Sequence, residues 1–247
     1  MGRKQASASV AATTRPAAVC IVSGGLDSVC YAAMLAREGF DIHMITFAYG
    51  QRAAREIRAA RRFARLLGAG DYKIVDIGFM RSLYGRSNAL TDRSQKLSRE
   101  FEQSLVVPIR NAIFITIASA WAMSIDARVV AYGAHAGDVP HYADCRPAFA
   151  SALASALNMA DADSIASGKR HEIEVTSPAA RGMDKSALLS KGYAILGDRL
   201  FETWSCYSDG VRAGKSGYVH CGVCESCINR KMAFKAANIG DRTRYAA

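Results

Sequence analysis

Two stretches of this chain hold residue types at spacings that chemistry requires, and a third gathers polar groups into one loop. The first is Ser23-Gly24-Gly25-Leu26-Asp27-Ser28. Small residues let the backbone close around an anion, successive N–H groups point at it, and the hydroxyls of Ser23 and Ser28 add donors. Asp27 can hold Mg2+ against the phosphates. The second is Cys206, Cys221, Cys224 and Cys227, four soft ligands in the pattern C-x14-C-x2-C-x2-C. Three thiolates at that spacing wrap one ion and the fourth closes a tetrahedron with no position for water, which describes a structural Zn2+ stapling a tail that lacks its own core. The same thiolates also suit an iron–sulfur cluster. Disulfides fit less well, because seven cysteines and no secretory signal point to a reducing, cytoplasmic setting.

The third stretch runs from Gly133 through His135, Asp138, Tyr142, Asp144, Cys145 and Arg146 to Pro147. A histidine and two aspartates in a loop are ordinarily turn formers and caps, and Asp144 could simply precede a helix. Their density is what a polar heterocycle needs: carboxylates for ring N–H groups, a ring to stack, and a cation for a carboxylate. Cys145 has the position of a nucleophile near a helix start, but no base for it is evident. Cys20 and Cys30 fall in apolar runs and are expected to be packing residues.

The elements that must position these groups alternate between strand and helix. Apolar runs predict strands over residues 17–23, 41–49, 72–77, 128–133 and 173–177. Helical periodicity predicts helices over 26–38, 52–67, 110–125, 147–159 and 184–196. This order describes an α/β fold, a parallel five-stranded sheet with helices on both faces, whose ligands gather at the carboxyl ends of the strands. The polar stretch 81–105 reads as structureless, a candidate lid. Residues 1–16 read as a disordered extension, 17–200 as the catalytic domain and 201–247 as a zinc-binding helical segment.

At 247 residues, half of them apolar, the chain can bury a large core without disulfides. No run of about 18 apolar residues predicts a membrane span. The net charge of +10 includes Arg3, Lys4 and Arg15 of the extension. Much of the rest lies on one helix, where Arg52, Arg55, Arg58, Arg62 and Arg65 oppose Ile57, Ala60, Ala64 and Leu67. A solvated basic face is the expectation, with a nucleic-acid footprint as its rival. Two other phosphate motifs fail. Gly210 to Ser216 has three residues between its glycines where a Walker loop has four, so it reads as a flexible basic loop, and no G-x-G-x-x-G is present.

SGG-x-DS after a strand resembles the signature of the PP-loop ATP pyrophosphatases, which cleave ATP to AMP and pyrophosphate and attach AMP to a substrate oxygen. SGGLDS, FAYGQR at 47–52, VPIRN at 107–111, GAHAGD, DCRPAF, TWSCY at 203–207 and CGVCESC at 221–227 follow the order found in the 7-cyano-7-deazaguanine synthase (QueC) family. The resemblance runs over roughly residues 18–238. It implies an adenine nucleotide alpha hydrolase-like fold, ATP with Mg2+, structural Zn2+, a homodimer, and ATP-driven conversion of 7-carboxy-7-deazaguanine to the nitrile with ammonia as nitrogen donor. On this basis Val22, Ser23, Gly24, Gly25, Leu26, Asp27, Ser28 and Val29 would bind ATP. Tyr49, Gln51, Arg110, His135, Asp138, Tyr142, Asp144, Arg146 and Lys185 would serve the substrate.

The chain departs from the family pattern at four places. Ala48 stands for the acid of FDYGQ, Ile109 for the glycine of VPGRN, and His141-Tyr142-Ala143-Asp144 for GYPD, while the loop between Cys206 and Cys221 is longer than usual. These changes bear on the acceptor and the end product. A paralogue that stops at the amide, or joins the activated carboxylate to another amine such as a protein N-terminus, would keep the same ATP and metal residues. From another class, a PP-loop tRNA-modifying enzyme would use the basic helix as its footprint. A zinc-containing binding module would leave the ATP loop without a purpose.

Overall fold

In the computed structural model, residues 15–214 and 217–246 are described. The expected extension lies outside them apart from Arg15 and Pro16, as do Lys215 and Ser216 of the expected basic loop.

Strict alternation along the strands decides how the sheet is buried, since successive side chains point to opposite faces. In β1 (Ala17–Ile21), Ala18 and Cys20 join one apolar cluster and Val19 the other. In β2 (Asp41–Ala48), Ile42 and Met44 go to the first cluster and Ile45 and Phe47 to the second. β3 (Tyr72–Asp76), β4 (Val129–Ala131) and β5 (Glu174–Thr176) complete a parallel sheet in the order β3-β2-β1-β4-β5. All five strands fall within the expected runs. Cys20 and Cys30 are buried packing residues, and burial pushes the Cys20 thiol up to about 12.

Helices cover both faces. α1 (Leu26–Arg37) and α2 (Arg55–Leu66) contribute to the first cluster. After the short α3 (Met80–Tyr84), α4 (Arg110–Ser124) and α5 (Pro147–Ala160) cover the other face, and Pro147 opens α5 where its missing N–H costs nothing. The short α6 (Ala162–Ala166) leads to β5, and α7 (Lys185–Leu196) packs on α1. Asp184 caps α7 by accepting from the Ala187 N–H at 2.7 Å. The tail adds an antiparallel pair, β6 (Val211–Arg212) and β7 (Tyr218–Val219), and α8 (Glu225–Ala236), so it is not purely helical. Residues 103–124 are apolar enough in composition to cross a membrane. Their regular helix is α4, which lies on β1 and β4 with Ile115, Ala118, Ser119 and Ala122 buried.

Two expectations are corrected here. The stretch 81–105 is not structureless: α3 opens at its edge, Gln103–Leu105 form a 3-10 turn, and Asn88, Ala89, Leu90 and Thr91 are buried. Arg52 anchors it by donating to the carbonyls of Ala89, Asp92 and Gln95 at 3.3, 3.5 and 2.8 Å. The basic face is also only partly solvated. Arg55 donates to the Asp209 carbonyl at 2.8 Å and lies over the Tyr218 ring, and Arg62 pairs with Glu202 at 2.8 Å. These arginines tie α2 to the tail, because long side chains on a helix rim reach whatever chain folds back over it.

Candidate active site

The sheet order reverses between β1 and β4, which opens a crevice at their carboxyl ends. A cavity of about 260 Å³ occupies it. Its phosphate-loop wall is Ser23, Gly25, Leu26, Asp27 and Ser28, and Tyr132, Gly133 and Ala134 extend from β4. Two glycines make the approach possible. Gly24 has φ +93°, and a Cβ there would stand 2.1 Å from the Glu56 carbonyl oxygen. A Cβ on Gly133 would stand 2.8 Å from the Ser28 backbone nitrogen. The loop is held open by its own hydroxyls: Ser28 Oγ accepts from the Ser23 N–H at 3.2 Å, and Ser23 Oγ from the Gly25 N–H at 3.1 Å.

Charge is concentrated behind this loop. Lys185, at the start of α7, donates to Asp27 Oδ2 at 2.8 Å, while Asp27 Oδ1 is buried without a partner. Burial works against the charge on Asp27, but Lys185 and then His135 outweigh it and hold the carboxyl below its ordinary range. An unpartnered carboxylate oxygen on a residue that lines the cavity with Ser23 and Ser28 belongs to a donor set that suits Mg2+. Asp138 Oδ2 accepts from the His135 N–H at 3.0 Å, and burial, with Asp27 nearby, pushes its carboxyl up against the pull of His135.

The opposite wall is aromatic and cationic. Arg110, the first residue of α4, donates to Tyr49 Oη at 3.3 Å, and no carboxylate lies within ion-pair distance of it among the described residues. Tyr49, Tyr142 and Tyr207 line the cavity with it, and their influence outweighs burial to hold the guanidinium charged. Gln51 is committed to the backbone: it accepts from the Tyr49 N–H at 2.8 Å and donates to the Phe47 carbonyl and Glu56 Oε1, both at 3.0 Å. Asp144 accepts from the Asn111 N–H at 3.0 Å and from Asn111 Nδ2 at 3.2 Å, so it caps α4 rather than the helix that follows it in sequence. Cys145 Sγ contacts Asn111 Nδ2 at 3.3 Å, and burial, with Asp138 and Asp144 adding to it, pushes its thiol far above the nucleophilic range.

Ile109, just before Arg110, sits at φ 50°, ψ 22° with 65% of its surface exposed. A β-branched residue in that region is a true outlier, and the left-handed conformation costs roughly 1–2 kcal/mol. Ile109→Gly is expected to raise the urea-unfolding free energy by up to about 1 kcal/mol, part of the relief being offset by the freedom glycine gains in the unfolded chain. A lower unfolding midpoint would show that the exposed side chain makes a contact worth more than the strain.

The tail closes the crevice. Cys206, Cys221, Cys224 and Cys227 are buried, with all four sulfurs within 4.8 Å of one another and Cys221 Sγ 3.8 Å from Cys227 Sγ. A tetrahedron of Zn–S bonds of about 2.3 Å has edges of about 3.8 Å, so the cluster is compatible with Zn2+. The N–H groups of Cys221 and Cys224 donate to the sulfurs of Cys206 and Cys221 at 3.3 Å. From this knot the Trp204 N–H reaches the Gly24 carbonyl at 2.8 Å, and Trp204, Ser205, Tyr207 and Ser226 line the cavity. Arg230 is fully buried beneath it, donating to Thr243 Oγ1 at 2.9 Å and Thr203 Oγ1 at 2.8 Å.

A model of the family described as queuosine biosynthesis protein QueC matches residues 17–238. The chain belongs to the QueC family. A 7-cyano-7-deazaguanine synthase of Legionella pneumophila is 39% identical over 233 residues, 92% of this chain and 96% of that protein. One of Ralstonia pickettii is 37% identical over 232 residues, 92% and 98% of the two chains. One of Caldicellulosiruptor bescii is 35% identical over 233 residues, 92% and 96%.

Not every residue that the QueC resemblance assigned to the substrate reaches the cavity wall. Tyr49, Gln51, Arg110, Asp138, Tyr142 and Asp144 do. His135 is buried behind Asp138, Lys185 touches the site through Asp27, and Arg146 is exposed, its Nε donating to the Val139 carbonyl at 3.4 Å. Of the phosphate-loop residues, Val22 and Val29 are buried and offer only backbone. Sequence reasoning missed Glu56, Trp204 and Tyr207. The signal for Glu56 was available, since it is the one acid in the arginine-rich run of α2.

Proposed function

We propose that this protein converts 7-carboxy-7-deazaguanine to 7-cyano-7-deazaguanine, using ATP to activate the carboxylate and ammonia to aminate it. The observation that carries this is one cavity that joins a cradle of small residues and hydroxyls to a polar, tyrosine-lined pocket holding a guanidinium with no ion-pair partner among the described residues. The names of the relatives give the product, and their reaction class, carbon–nitrogen ligation, suits such a site.

In this account the backbone of residues 22–29 and the hydroxyls of Ser23 and Ser28 bind the polyphosphate. Asp27 would hold Mg2+, whose chemistry is to neutralise the phosphates as pyrophosphate leaves, and Lys185 would add a second cation. Arg110 orients the substrate carboxylate; Tyr142 and Asp138 face the heterocycle. His135 and Arg146 act from outside the wall, His135 by orienting Asp138. The zinc-binding segment, 201–247, fixes Trp204 and Tyr207 against the ATP-binding domain, 17–200. The carboxylate oxygen attacks the α-phosphate and ammonia displaces AMP to give the amide. A second adenylation, of the amide oxygen, lets AMP and a proton depart to leave the nitrile. Positioning and charge neutralisation suffice, so no covalent enzyme intermediate is needed.

Mass spectrometry of products from Mg-ATP, 7-carboxy-7-deazaguanine and ammonium tests this. Nitrile with AMP is expected. Amide alone, or an adduct on an added protein amine, would move the novelty to the acceptor, where Ala48 and Ile109 depart from the family. AMP formation indifferent to the deazaguanine would overturn the proposal.

A further inference from the structure

Four carboxylates line the cavity: Asp27, Glu56, Asp138 and Asp144. Three are committed, Asp27 to Lys185, Asp138 to the His135 backbone and Asp144 to Asn111. Glu56 is different. Its one hydrogen bond comes from a neutral amide, Gln51 Nε2 on Oε1, and it has no ion-pair partner among the described residues. Its backbone is pinned against the phosphate loop, since its carbonyl oxygen occupies the space over Gly24. Gln51 is itself locked at both ends, so the carboxylate is aimed rather than free to wander.

We propose that Glu56 is a catalytic base of the amination, taking the proton from the nitrogen as it attacks the activated carboxyl carbon. The inference rests on the reaction proposed above and names a role in its second half. The balance is simple. Nitrogen forms the C–N bond with its lone pair, the C–O bond to AMP breaks with its electrons on the phosphate, and the N–H proton passes to the Glu56 carboxylate and then to solvent. The facing groups suit a base that works near neutrality. Burial pushes Glu56 up to about 7, Gln51 and Arg110 of α4 oppose that, and Asp209 from the tail, bound to Arg55, adds to it. Tyr49 is the remaining titratable neighbour, and burial keeps it protonated.

Glu56→Gln keeps the acceptor that Gln51 uses and removes only the proton site. The test separates half-reactions in the full-length enzyme. Deazaguanine-dependent ATP–pyrophosphate exchange, with ammonium withheld, should stay within about threefold of native, while amide formation in a single turnover should fall by roughly a hundredfold or more. Glu56→Asp should retain part of the amination with its acid limb displaced. In the native enzyme that limb should rise with pH and level off above about 7 at constant free ammonia, because the ionised carboxylate is the active form. Loss of exchange and amination together, or of neither, would overturn the role of Glu56. Native enzyme without deazaguanine-dependent exchange would overturn the parent reading, and the role with it.

Discussion

Alanine at position 24 is expected to destabilise the fold by on the order of 3 kcal/mol and to abolish ATP binding. Gly24 has φ +93°, and a Cβ would stand 2.1 Å from the Glu56 carbonyl oxygen and 2.6 Å from the Ala60 nitrogen, both backbone atoms of α2. Neither is the yielding end of a side chain, so strain of roughly 1–2 kcal/mol in the loop adds to overpacking of roughly 1–3 kcal/mol. Gly39→Ala is the control, because Gly39 has φ +98° and nothing within 4 Å of its virtual Cβ. The difference between the two variants in urea unfolding isolates the contact of loop with helix, and calorimetric titration with Mg-ATP reads the site. Equal effects for both would show that α2 does not brace the loop.

Loss of one sulfur from the four-cysteine cluster that suits Zn2+ should be as severe. Cys227 is wholly buried at the start of α8, and Cys227→Ser is expected to remove the metal and unfold the tail. Structural zinc contributes on the order of 10 kcal/mol in small metal-dependent folds, more than any single core side chain supplies. Because Trp204 holds the Gly24 carbonyl and Ser205 lines the cavity, activity should be lost with the tail even though no cysteine touches the reacting atoms. Metal content by mass spectrometry and protease sensitivity after residue 200 check this. A strong chelator should reproduce the effect on the native chain. A protease-resistant tail with no metal bound would contradict it.

The sheet and the tight loop of residues 23–28 were legible because their signals are local. Apolar runs of strand length, each followed by a helical period, fix a parallel sheet, and the residues of the cradle are consecutive. The cysteine knot was legible for the same reason. Residues whose role depends on a distant partner were not. Arg52 and Arg230 carry charges that composition assigns to the surface, yet one is consumed by carbonyls about 40 residues away and the other is fully buried among hydroxyls. Asp144 reads as a cap for the helix that follows it, and it caps a helix that ends 20 residues earlier. Glu56 stands out as the one acid of the arginine-rich run, but its environment is set by Gly24, Gln51 and Arg110, from elsewhere in the chain. The polar stretch 81–105 misled for a related reason: its anchors are backbone carbonyls, which no sequence pattern displays.

The proposed reaction transfers AMP to the oxygen of a deazaguanine carboxylate. The most direct measurement follows those oxygen atoms. With 7-carboxy-7-deazaguanine labelled with oxygen-18 in both carboxylate positions, Mg-ATP and ammonium, each nitrile is expected to be accompanied by two AMP molecules, each carrying one labelled oxygen. Unlabelled AMP, or label appearing in pyrophosphate or inorganic phosphate, would contradict it.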